Sequence, residues 1–137
     1  MAVNISGKYL GQLDIESSHG PSGNQIKTTA PKDNGGTGEY FSPTDLMATS
    51  LGCCLVTIAG LWGNKHGFDL TGTTYELEKH MSEDLPRRIA HLPVTINIPA
   101  SVVPEAKRAA LEAAALKCPV KQSLHPDVKV EVTFNYV

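Results

Sequence analysis

Three cysteines are the residues of this 137-residue chain best suited to chemistry, and two of them are adjacent: Cys53 and Cys54 in SLGCCLVTIAGLW, with Cys118 much later. A thiol reacts as its thiolate, so what each sulfur does depends on what would ionise it. Cys54 is predicted to sit about twelve residues into a helix, roughly 18 Å from its positive end at 1.5 Å per residue, too far for that dipole to act on it. Without a cationic neighbour it would be a small core residue. Cys118 precedes Pro119 and is expected to cap a short helix, where backbone N–H groups favour a thiolate. On the residues alone, Cys118 is the more acidic thiol and Cys54 the more buried.

Other chemistries have less behind them. Gly35-Gly36-Thr37-Gly38 lacks both the Gly-Lys-Ser/Thr ending of a P-loop and the three-glycine dinucleotide pattern, so it reads as a flexible or ligand-facing loop. His19, His66, His80, His91 and His125 are dispersed, and no pair of ligand types has zinc-knuckle spacing. Neither a metal nor another cofactor is expected.

The elements that must position these thiols can be read from periodicity. KYLGQLDIE (8–16) places Tyr9, Leu13 and Ile15 at period two and predicts a strand, with QIKTTA (25–30) as its hairpin partner across the turn SHGPSGN. PKDNGGTGEYF reads as a loop. A helix then starts with Ser42 as cap, Pro43 in the first turn and Asp45 three residues after the cap, and should run to about His66 before Gly67. Met47, Leu51, Cys54, Ile58 and Leu61 form its expected inward stripe, with Cys53 rotated about 100° away. Two strands around SEDLP follow, then a helix over 104–117, a short helical turn after Cys118-Pro119, and a last strand in which Val128, Val130, Val132, Phe134 and Tyr136 alternate.

The expected class is therefore α+β with a mainly antiparallel sheet, in one domain spanning 1–137. The first helix is apolar enough to need cover on more than one side, which favours a dimer. Hydrophobic residues make up 41% and charged residues 19%, and twelve scattered Lys and Arg offset by fourteen acids argue against a nucleic-acid footprint. No membrane role is indicated. The N-terminus lacks the pattern of a secretory signal, so a cytoplasmic location is expected, where an odd number of cysteines stays reduced.

Ser42-Pro43-Thr44-Asp45-Leu46-Met47, leading to Ser50-Leu51-Gly52-Cys53-Cys54 and later to Cys118-Pro119-Val120, resembles the osmotically inducible protein C and organic hydroperoxide resistance (OsmC/Ohr) family over nearly the whole chain. The resemblance implies an intertwined homodimer, a long central helix carrying Cys54 and a second helix ending at Cys118. It further implies a thiol peroxidase: Cys54, ending the Ser-Leu-Gly-x-Cys pattern, is the peroxidatic thiol, Cys118 resolves the sulfenic acid as a disulfide, and an external thiol reduces it. The family's peroxidases also use an arginine from the N-terminal strand region and a glutamate after the helix-opening proline. Here the first arginine is Arg87 and the residue after that proline is Thr44, so the activating candidates are Thr44, Asp45, Lys27, Lys32, Arg87 and Arg88. The alternative is a family-fold protein that binds a small apolar ligand at the dimer interface without catalysis; a purely structural dimer is a third reading.

Overall fold

The structure is a computed structural model describing all 137 residues. It contains two compact units, residues 1–47 and 48–137, with the boundary inside the long helix.

The first unit is an antiparallel meander of β1 (Ile5–Gly11), β2 (Asp14–His19) and β3 (Gln25–Thr28). The single strand expected over 8–16 is thus two. Gln12 and Leu13 adopt φ of 55° and 67° after Gly11 at 92°, and the chain reverses so that Gly11 pairs with Asp14. Tight hairpins need positive φ, normally signalled by Asn-Gly or Asp-Gly. Gln12-Leu13 carries no such signal, and Leu13 continued the apolar alternation through the turn. The second turn is where it was expected, closed by His19 and Gly23 with Asn24.

The glycine loop follows and folds back on its own chain. Gly36 N–H donates to the Pro31 carbonyl at 3.0 Å, and Gly38 N–H to the Ala30 carbonyl at 3.4 Å. A side chain at Gly36 would collide with the Ala30 backbone, so close approach of the chain to itself accounts for that glycine.

Helix α1 (Pro43–His66) starts and stops as predicted. Ser42 N–H donates to Asp45 Oδ2 at 2.9 Å and Asp45 N–H to Ser42 Oγ at 3.1 Å, a reciprocal capping box. Gly67 ends it in the left-handed region at φ 79°.

In the second unit, β4 (Thr74–Leu77) and β5 (His80–Met81) both pair antiparallel with β6 (Ile89–Ile98). The strand expected before SEDLP is therefore in two pieces. After α2 (Glu105–Ala115) and α3 (Pro119–Ser123) the chain returns as β7 (Lys129–Tyr136), parallel to β6. A parallel pair needs a long crossover, which the two helices supply. The result is an α+β fold with mostly antiparallel pairing.

Leu92, Val94, Ile96 and Ile98 of β6 share one buried cluster with Leu51, Leu55 and Ala59 of α1 and with Leu111 and Ala115 of α2. The inward face of α1 differs from the predicted stripe: its buried residues are Ala48, Leu51, Gly52, Leu55, Ala59 and Gly63, while Met47 and Leu61 are about half exposed. Leu51 of that stripe is fully buried and Cys54 and Ile58 pack against the core, so the centre of the buried face is rotated from the predicted one toward the small residues, where the helix packs close.

Replacing Ser42 by Ala removes one half of the capping box. The expected cost is about 1 kcal/mol, read as a lower urea midpoint with unchanged m-value.

Candidate functional site

Cys54 and Cys118 meet within the second unit. Cys118 is fully buried, Cys54 is half-buried against the core and Cys53 is exposed; all three are free thiols. The Cys118 and Cys54 thiols are close enough for each to influence the other's proton. The sequence pattern explains the approach. Pro119 halts α2 and opens α3, so Cys118 becomes the α3 cap with its sulfur turned inward, accepting the Lys121 N–H at 3.3 Å.

This geometry reverses the expected order of burial, and Cys118 is not the acidic thiol expected of a helix cap. Burial pushes the Cys118 thiol up, outweighing the Lys121 and Val120 N–H groups that favour its thiolate, and contact with Cys54 pushes the same way. Cys118 is the buried, proton-retaining member; Cys54 is the one that keeps some exposed surface.

Tyr75 was not singled out by sequence. Its ring lies over Gly52, where a Cβ would strike it, and its Oη is 3.6 Å from Cys53 Sγ. The hydrogen bond with Cys53, then burial and the Cys53 charge, raise the Tyr75 pKa. Only the glycine beside the cysteines signalled so close a neighbour. Since each residue turns the helix by about 100°, Gly52, Cys53 and Cys54 face three directions. Tyr75 serves the first two, and Cys118 meets the third.

Of the other candidates, Asp45 and Thr44 are engaged at the helix start, Asp45 with the Ser42 backbone and Thr44 Oγ1 with Ser42 Oγ at 3.2 Å. Lys27 sits 5.7 Å from the Tyr40 ring centre, and Lys32 lies in the single helical turn Lys32–Asn34. Arg88 forks onto Asp84 through Nη1 and Nη2, at 3.1 and 3.3 Å, in the segment leading into β6. This pair holds the Asp84 carboxyl below its usual value. Arg87 occupies the same exposed segment. No group of three or more His, Cys, Asp or Glu side chains is placed to hold a metal ion.

The family model for OsmC-like proteins matches residues 36–133. The chain belongs to the OsmC-like family. A Psychrobacter arcticus protein, provisionally named an osmotic stress induced and detoxification response protein, is 38% identical with a TM-score of 0.90, the match covering 98% of this chain and 96% of that one. The organic hydroperoxide resistance protein OsmC of Legionella pneumophila superposes with a TM-score of 0.74 at 17% identity, covering 98% and 97% of the two chains. OhrB of Bacillus subtilis, also an organic hydroperoxide resistance protein, gives 0.69 at 14%, covering 98% of each. No curated protein matches the chain.

Within this OsmC-like chain, the raised Cys118 pKa ties stability to alkaline pH. Below the ordinary thiol value of 9.0 both folded and unfolded chains keep the proton, and the full contribution is present. Above it the unfolded chain loses the proton first, so stability declines until pH passes the raised folded value. The urea midpoint of the wild type should therefore fall more steeply above about pH 9 than that of Cys118→Ser, whose hydroxyl does not titrate there. Parallel curves would exclude the effect.

Proposed function

We propose that this chain is a thiol-dependent hydroperoxide reductase, acting as a cytoplasmic homodimer, with Cys54 as peroxidatic and Cys118 as resolving thiol. The observation that carries this reading is the contact between a half-buried and a fully buried free thiol, drawn from separate elements. Family membership supports it, as do structural neighbours named organic hydroperoxide resistance proteins.

The chemistry runs in three balanced steps. The Cys54 thiolate attacks the terminal oxygen of ROOH, forming an S–O bond and breaking O–O, to give Cys54 sulfenic acid and an alkoxide that is protonated to ROH. Cys118 attacks the sulfenic sulfur, forming the disulfide with loss of water. Two equivalents of an external thiol then reduce the disulfide by exchange. Half-burial of Cys54 against the apolar core cluster favours an organic peroxide and limits water and over-oxidation.

A homodimer fits the outer face of α1. No charged residue lies between Asp45 and Lys65, and Met47 and Leu61 are half exposed, a surface that a second copy would cover.

The test is stoichiometric. Reduced protein given a modest excess of cumene hydroperoxide should lose two thiols per chain and yield a Cys54–Cys118 disulfide by peptide mass spectrometry. The Cys54→Ser variant should lose none at a comparable rate. Equal thiol loss in that variant, or none in the wild type, would remove the proposal.

A further inference from the structure

We propose that Cys118 is also the acid of the first step, so that the proton it gives to the departing alkoxide creates the thiolate it needs for the second. This rests on the hydroperoxide-reductase reading above.

The arrangement around the sulfur carries the idea. Cys118 has no exposed surface, so no bulk water touches its sulfur in this structure. Its sulfur accepts the Lys121 N–H at 3.3 Å and is also faced by the Val120 N–H. With backbone N–H groups of α3 directed at the lone pairs of the sulfur, its S–H is left to be offered toward Cys54, the sulfur that takes the peroxide oxygen.

The atoms balance as follows. Cys54 thiolate, ROOH and Cys118 thiol give Cys54 sulfenic acid, ROH and Cys118 thiolate. The thiolate then attacks the Cys54 sulfur, the S–S bond forms, and hydroxide leaves and takes a proton from solvent. Burial and the α3 backbone thus act at different moments. Before reaction, burial keeps the proton on Cys118, as its raised pKa reflects. Once the proton has gone to the alkoxide, the Lys121 and Val120 N–H groups are already in place around the new charge, with no reorganisation needed. The cap of a five-residue helix becomes a cradle for a transient thiolate.

Single-turnover oxidation of the reduced full chain by cumene hydroperoxide tests this, with Cys54 oxidation followed by dimedone quench and mass spectrometry in wild type, Cys118→Ala and Cys118→Ser. The expected result is slower Cys54 oxidation in Cys118→Ala, on the order of 10²-fold, the lower range for general acids. Cys118→Ser, which keeps volume and capping but holds its proton far more tightly, should also be slow. A solvent deuterium isotope effect on the first step should be present in the wild type and absent from Cys118→Ala. If both variants oxidise Cys54 as fast as the wild type while the wild type still closes its disulfide, the acid role is overturned and the resolving role stands. If wild-type Cys54 does not oxidise at all, both fall.

Discussion

A side chain at Gly52 would strike the Tyr75 ring, and one at Gly63 would come within 2.6 Å of the Phe68 carbonyl, so α1 can lie as it does only because both positions are glycine. That close approach sets the rest of the second unit. It seats Leu51, Leu55 and Ala59 in the cluster formed with β6, burial of each leucine contributing about 1.5–3 kcal/mol. It also fixes the rotation of the helix about its axis. Cys54 falls on a shoulder of the buried stripe and Cys53 points outward, and no side-chain choice at either position could exchange them.

On that shoulder Cys54 needs a partner, which the chain supplies through a proline. Cys118 could have ended α2 as an ordinary buried residue. Pro119 instead forces a new helix to begin, and the first donors of α3 require an acceptor. The Cys118 sulfur supplies it while remaining in the core. A sulfur held in this way faces two opposed influences, desolvation and backbone N–H groups, and desolvation prevails in the resting state. The ordinary rule that a helix cap acidifies a cysteine fails here for a definite reason: it assumes a cap that water can reach.

The legible parts of the sequence were those governed by local chemistry. Ser42, Pro43, Asp45 and Gly67 located both ends of α1, and Cys118-Pro119 located the break between α2 and α3. The alternating valines placed β7. What stayed hidden depends on contacts distant in sequence or on residues without strong preference. The turn at Gln12-Leu13 uses positive φ without a residue that favours it. The inward face of α1 is legible only in part, through Leu51, Cys54 and Ile58, because its alanines and glycines carry little hydrophobic signal, yet they mark the closest packing. Tyr75 was missed because its partner, Cys53, lies on a different element.

The adjacent cysteines therefore have different environments for one geometric reason. A helix turns about 100° per residue, so neighbouring side chains leave it in different directions, and here Cys53 and Cys54 reach different partners. Cys53 meets a phenol in an exposed setting, where the shared hydrogen bond raises the tyrosine. Cys54 meets a second thiol whose proton is held by burial, and under the proposed peroxide reaction that difference would decide which sulfur is useful. A sulfenic acid at Cys53 would face Tyr75, whose hydroxyl can donate a hydrogen bond but cannot form a disulfide. At Cys54 it would face Cys118, a sulfur able to close the bond and return the site to a reducible state.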